Sequence, residues 1–208
     1  MRDQGFFITF EGTDGAGKTT QIQRLSADLK RANYDVYLTR EPGGTAISEQ
    51  IRNILLNPDY SEMAAITELL LYAASRAQHV SEVIKPALKS GKIVICSRFA
   101  DATVIYQGYG RGVDLEKIYN LNRIATDNVT PDITFVLDLP VEIGLQRIQK
   151  SRKKLDRLEG EKIEFHRRLR KGYQLLAKQE PQRLKIIDAQ ANSEQVYTQI
   201  QAVMQHLL

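Results

Sequence analysis

Eight consecutive residues, Gly12-Thr13-Asp14-Gly15-Ala16-Gly17-Lys18-Thr19, match the spacing G-x-x-x-x-G-K-[ST]. The chemistry of that spacing is phosphate binding. Glycines let the backbone curl until its N–H groups converge on an anion, and a helix beginning at the lysine adds the positive end of its dipole. Lys18 would reach the β- and γ-phosphates of a nucleoside triphosphate, the Thr19 hydroxyl would ligate Mg²⁺, and Thr20 would complete the first helical turn. A tight turn that happens to carry a lysine is the bland alternative. The apolar, strand-like Phe6–Phe10 before the motif and the helical pattern after it favour a triphosphate site. The motif alone names no activity, because such loops serve kinases, GTPases, motors and switches. The base-specifying N-K-x-D of GTPases is absent from the sequence.

Four further segments offer material for a second site. Arg40-Glu41-Pro42-Gly43-Gly44 is a rigid turn bracketed by charge, readable equally as a structural loop. Arg52 follows on the next helical pattern and by itself reads as a solvated arginine. Tyr72 and Arg76, four residues apart, share a helical face, as a core tyrosine and a surface arginine also would. Arg98-Phe99-Ala100-Asp101-Ala102-Thr103-Val104-Ile105-Tyr106-Gln107-Gly108-Tyr109-Gly110-Arg111-Gly112 begins with an arginine directly after a strand, a position suited to an anion, and its glycine-rich end reads as a loop. One cysteine, Cys96, lies in an apolar strand pattern, and the three histidines are scattered. That leaves little for a zinc site or a nucleophile–base pair.

Positioning these groups requires a sheet. Short apolar runs at Phe6–Phe10, Asp35–Thr39, Ile93–Cys96, Ile133–Asp138 and Leu184–Ile187 alternate with stretches whose apolar residues recur every three or four positions. That alternation predicts an α/β fold: a five-stranded parallel sheet with helices on both faces. In such sheets ligands sit at the carboxyl ends of the strands, and the chemistry-bearing segments all follow strands. The 208 residues, with 42% apolar and 26% charged, suit one globular domain over 1–208. No apolar stretch approaches the roughly 20 residues of a membrane span, and the N-terminus lacks a signal-peptide core, so a cytoplasmic protein is expected.

In order and spacing these segments resemble bacterial thymidylate kinases. The resemblance rests on Phe10–Gln21, Arg40–Thr45 (R-E-P-G-G-T), Leu70–His79 (L-L-Y-A-A-S-R-A-Q-H), Ile105–Gly112, Leu155–Glu159 (L-D-R-L-E) and Phe165-His166 to Tyr173. It implies the three-layer P-loop nucleoside-monophosphate-kinase fold, and transfer of the ATP γ-phosphoryl group to dTMP with Mg²⁺. It further implies that Tyr72 stacks on thymine, that Arg76 and Gln107 bond its polar edge, and that Thr103 contacts the base. Tyr106 would crowd a 2′-hydroxyl, Asp14 would accept from the 3′-hydroxyl, and Arg40, Arg52 and Arg98 would hold the acceptor phosphate. It also implies a homodimer and a Glu41–Pro42 cis peptide aiming Arg40 at the site.

The chain carries a net charge of +4, which by itself suggests a polyanionic partner. Counted by region, residues 147–171 hold eleven basic side chains against four acidic ones, an excess of +7, and the remainder carries −3. Interleaved acids and few aromatics argue against nucleic acid or membrane. The resemblance instead implies a mobile lid over about 147–160. The loop at 12–19 contains no arginine, so a lid arginine is expected to bridge the two phosphates: Arg152 or Arg157, with Arg147 behind them, and loss of Arg157 should then reduce kcat while sparing ATP affinity. The pattern departs from its relatives at Ser97, where they usually carry aspartate before the arginine. A metal-side charge is thereby lost, with Asp14 or Glu11 as conceivable substitutes. Two alternatives stay open: a kinase for another nucleoside monophosphate, and a nucleotide-binding regulatory module.

Overall fold

The computed structural model describes residues 5–151 and 155–207. Five strands, β1 (Phe6–Glu11), β2 (Val36–Arg40), β3 (Ile93–Ser97), β4 (Ile133–Asp138) and β5 (Leu184–Asp188), form one parallel sheet in the order β2-β3-β1-β4-β5. Each strand lies within a residue of its sequence-based expectation. The central strand β1 pairs Phe10 with Ser97 on one side and with Phe135 on the other, which places the three loops beyond these strands side by side.

The alternation of β1 divides the molecule into layers. Phe6, Ile8 and Phe10 face a core closed by α1 (Lys18–Arg31) and, after β5, by the C-terminal helix (Ser193–Met204). Phe7 and Glu11 face the opposite side. That side is covered by α2 (Ala46–Leu56) and α3 (Ala65–His79), which continues through a π-helical turn at Val80–Ile84 into α4 (Lys85–Lys89). Next come α5 (Ala100–Thr103), α6 (Leu115–Thr126), α7 (Val141–Ser151) and α8 (Ile163–Gln179); the C-terminal helix is α9. α3, α6 and α8 surround a second core of Leu69, Ile105, Ile118, Phe165 and Leu169. Among the described residues no helix is long and apolar enough to cross a membrane.

Between α5 and α6 the chain is not a loop. Val104–Gly110 is a π-helical stretch, whose wider turn buries Tyr106 and Gln107 together. The two glycines that read as loop residues are there for contact. A Cβ on Gly108 would come within 2.5 Å of Leu115, and one on Gly110 within 2.7 Å of Phe165.

The loop after β1 is clamped from beyond the sheet. Gly15 has φ +77°, and a Cβ there would meet the Gly144 carbonyl of α7 at 2.4 Å; a Cβ on Gly144 would meet the Asp14 carbonyl at 2.6 Å. The first turn of α7 thus lies backbone to backbone on the loop that carries Lys18. Gly144→Ala must push the two apart. The expected result is a loss of about 1–3 kcal/mol of stability, read as a lower Tm; an unchanged Tm would contradict the clamp.

Candidate active site

Two clefts open along the carboxyl edge of the sheet and share a wall of Asp14, Glu41, Arg52, Arg98 and Glu159. The first, of about 620 Å³, adds Tyr72, Arg76, Phe99, Thr103, Tyr106 and Gln107. The second, of about 1070 Å³, adds Gly15, Gly17, Lys18, Thr19, Arg40, Ser97 and Arg147. The first cleft sets aromatic rings among charged and polar side chains, and the second is lined by the glycine loop and mostly basic side chains.

The glycine loop takes the shape its sequence requires. Gly12, Gly15 and Gly17 have φ of +127°, +77° and +92°, a region that L side chains rarely adopt. α1 begins immediately after Gly17. Lys18 Nζ donates to the carbonyls of Gly12 and Thr13, each at 2.9 Å, so the lysine is folded back along its own loop. Burial, with Arg98 nearby, pushes its pKa down to about 7. Thr19 and Thr20 are exposed on the first turn of α1, whereas Thr13 and Ala16 are buried beneath the loop.

Arg98 stands where the clefts meet. It is one of few non-glycine residues with positive φ, at +69°. That strained conformation costs on the order of 1 kcal/mol, and a dense set of contacts stabilises it. Its backbone N–H donates to the Phe10 carbonyl at 2.9 Å and the next N–H, of Phe99, to Glu11 at 2.8 Å. Its guanidinium donates to Asp14 at 2.6 Å, to the Gly12 carbonyl at 3.1 Å and to the Tyr173 hydroxyl at 3.3 Å, and stacks 4.9 Å from the Tyr106 ring centre. Burial alone would raise the Asp14 pKa; Arg98 and Lys18 outweigh it and hold the carboxyl well below the usual range. The Tyr106 hydroxyl lies 3.3 Å from the other Asp14 oxygen.

Glu11 lies fully buried beside this group. It accepts from Phe99 N–H and, at 2.7 Å, from the Tyr173 hydroxyl, and burial pushes its pKa up to about 7.

The aromatic cleft is built on α3. Glu68, Tyr72 and Arg76 lie four residues apart on one face of it. Arg76 is 1% exposed, with four of its five N–H groups engaged: Nε on Glu41 (2.8 Å), Nη1 on Thr103 (3.0 Å) and Asn122 (2.9 Å), and Nη2 on the Phe99 carbonyl (3.0 Å). The bland reading of Arg76 as a surface arginine is wrong, because Glu41 provides a buried partner. His79, between Glu41 at 3.1 Å and the Thr39 hydroxyl at 2.6 Å, holds that carboxylate from behind. Burial also raises the Tyr72 pKa, which keeps the hydroxyl neutral. The Glu41–Pro42 peptide is cis, as expected.

Not every expected group converges. Arg40 lines only the loop-side cleft, more than half exposed, and pairs with Glu49 at 2.9 Å. Arg52 lines both clefts and donates to the Pro42 carbonyl at 2.8 Å. Arg147 donates to the Gly15 carbonyl at 3.2 Å. Arg152 lies outside the described residues. Arg157 is not at the phosphates here. It is buried, with Nε on the Leu55 carbonyl at 2.8 Å and Nη2 2.6 Å from Glu68, an ion-pair contact poorly aligned for a hydrogen bond. The reason lies in the turn it occupies. Asp156 accepts from the N–H groups of Leu158 and Glu159, and Leu158 is buried in the second core, which turns Arg157 down toward α3.

The sequence reading missed Glu68, Asn122, Glu41 with His79, and the Glu11–Tyr173 pair as parts of the site. Glu68 left a signal of its own, a carboxylate four residues before Tyr72 and directly before Leu69-Leu70-Leu71, while Glu41, His79 and Glu11 stood within or beside motifs without a role at the aromatic cleft.

Comparison with known proteins agrees with this geometry. The family model for thymidylate kinase matches residues 10–200. The thymidylate kinase of Exiguobacterium sibiricum is 50% identical over 196 residues, covering 94% of this chain and 92% of that protein. That of Pelobacter propionicus is 50% identical over 210 residues, covering 98% and 96%. The crystal structure of thymidylate kinase from Ehrlichia chaffeensis superposes with a TM-score of 0.78 at 38% identity, covering 96% of this chain and 98% of that one. With two adjoining clefts, a glycine loop at their junction and this breadth of similarity, the chain belongs to the thymidylate kinase family.

Proposed function

We propose that the chain transfers the γ-phosphoryl group of ATP to dTMP, releasing ADP and dTDP, within a single domain spanning 1–208. The observation that carries this reading is the shared wall of the two clefts, with Arg98 and Asp14 at their junction. The loop-side cleft suits the donor. The Gly12–Thr20 segment cradles its phosphates, and Lys18, released from the loop carbonyls, turns to the β- and γ-groups. The aromatic cleft suits the acceptor, with Tyr72 against the base, Arg76, Thr103 and Gln107 on its polar edge, and Tyr106 and Asp14 at the sugar. Arg98 and Arg52 face the acceptor phosphate, with Arg40 at its outer side.

A phosphate oxygen of dTMP then attacks the γ-phosphorus as the bond to the β–γ bridging oxygen breaks. The acceptor is already an anion near neutral pH, so the protein's work is to align two anions and offset their charge. Guanidinium forks suit that work. Arg98 is placed to touch both partners, and Arg147 and Arg152, in the 147–160 segment read as a lid, are the arginines left to reach the donor.

The donor set also fits Mg²⁺. The Thr19 and Ser97 hydroxyls line the donor cleft, and among the described residues no group of three His, Cys, Asp or Glu could hold a metal alone. Such a set suits an ion that keeps mostly water and phosphate oxygens as ligands. When bound, the ion would offset charge on the donor phosphates; Thr19 would hold it, and Ser97 would contribute a hydroxyl where relatives carry a carboxylate.

The exposed Ile47 and Ile54 of α2, Ile66 and Leu70 of α3 and Ile124 of α6 lie on three neighbouring helices and support the homodimer. A cytoplasmic location accords with the absence of a membrane-length helix among the described residues.

A coupled ADP-release assay over dTMP, dUMP, dCMP and dAMP should show dTMP as the best acceptor; a dTMP-independent rate would favour a regulatory nucleotide binder. Light scattering should give twice the chain mass, and the single-chain mass for Leu70→Glu with Ile124→Glu; a monomeric parent protein would remove the dimer. Lys18 is largely neutral above its pKa of about 7 in the free protein. Triphosphate binding favours its charged form and so raises that pKa, and ATP binding near pH 8 should take up protons. Calorimetry in buffers of different ionisation enthalpy reads this directly, and zero uptake would contradict it.

A further inference from the structure

Glu68 is a carboxylate that meets both Gln107 of the acceptor cleft and Arg157 of the 147–160 segment. It is fully buried on α3. Its Oε1 accepts from Gln107 Nε2 at 2.7 Å, and its Oε2 lies 2.6 Å from Arg157 and 3.3 Å from Arg111. Arg111 Nε reaches Oε1 at 3.4 Å, and Arg111 also pairs with Glu161 at 2.5 Å. A carboxylate only accepts hydrogen bonds, so the Gln107 atom facing it must be the nitrogen. The other branch of that amide, Oε1, is left for the cleft that Gln107 lines.

We infer that Glu68 is a specificity-determining positioning residue: by fixing the side-chain amide of Gln107, it makes the acceptor cleft select a base with an N3–H donor. The inference rests on the acceptor cleft being the nucleotide site proposed above. Arg76 supplies the complement. With four donors engaged, it retains one Nη2 proton, while Gln107 retains an acceptor. One donor beside one acceptor matches a thymine or uracil edge, which presents O4 as acceptor and N3–H as donor. Cytosine presents an amino donor and a bare N3, and both contacts are then opposed. A flexible glutamine could turn its amide to suit either base; one tied to Glu68 cannot. Selectivity of this kind is strong because the wrong base leaves buried polar groups unpaired.

Arg111 and Arg157 make the arrangement directional. In Glu68→Gln the single remaining oxygen is claimed by the two guanidinium groups. The new NH₂ then faces Gln107 and turns that amide over, so that Nε2 points at the base.

The test measures kcat and KM for dTMP and dCMP in the full-length protein, for the parent, Glu68→Gln, Gln107→Met and the double variant. Glu68→Gln should cut the dTMP-over-dCMP preference in kcat/KM by roughly 10- to 100-fold, mainly through a higher KM for dTMP, with KM for ATP unmoved. Gln107→Met removes the amide that Glu68 orients, so adding Glu68→Gln to it should leave the preference unchanged. An equal loss for both nucleotides, or the same loss in both backgrounds, would make Glu68 merely structural and overturn the inference. A parent protein without dTMP-dependent turnover would instead overturn the activity reading. If Glu68→Gln does not fold, the unmutated protein decides the matter. The Gln107 side-chain amide signal in ¹⁵N spectra, assigned by its loss in Gln107→Met, should be protected from exchange before and after dTMP is added; rapid exchange of both protons would overturn the inference.

Discussion

The contact between the Arg98 guanidinium and Asp14 is the constraint around which the rest of the site is arranged. It ties the glycine loop after β1 to the loop after β3 and sets one positive charge at the boundary of the two clefts. Its surroundings are not optional. The left-handed backbone at Arg98, the Tyr106 face beneath it and the Tyr173 hydroxyl beside it each restrict the guanidinium to one place. Parallel pairing of β1 with β3 brings Phe10 and Ser97 level, and so puts the two loops within reach. The sheet therefore acts on the chemistry through register: a slip of one residue would separate Arg98 from Asp14 and turn alternate side chains to the wrong layer.

Around that contact the arginines are sorted by buried carboxylates. Glu41 takes Arg76, Glu68 takes Arg157 and Arg111, and Asp14 takes Arg98. Buried charges of this kind add little net stability, since desolvation offsets most of the attraction. Their contribution is positional. These partners decide which guanidinium groups are held in the protein and which, such as Arg40, stay largely exposed.

Much of this was legible in the sequence, for definite reasons. The strands are apolar runs with abrupt ends, and the glycine loop has a spacing that few other structures require, so sequence alone places both. Tyr72 and Arg76 could be put on one face because helical periodicity is local. Arg157 could not be placed. Its direction depends on Leu158 entering the core and on Glu68, some ninety residues earlier in the chain, and nothing in the lid segment encodes that meeting. The Val104–Gly110 stretch was hidden for another reason: its glycines signal turns by composition, whereas here they permit close packing of Leu115 and Phe165. Asn122 carried no signal, being one polar residue on an amphipathic helix.

The four bonds that hold Arg76 bear on how rigid its cleft is. A free arginine side chain carries about 2 kcal/mol of rotamer entropy, which a flexible site would surrender at each binding event. Here that entropy is lost once, at folding, because four protein acceptors already fix the group. The cleft that Arg76 lines is therefore preorganised at this group, and binding there would not be diminished by ordering it.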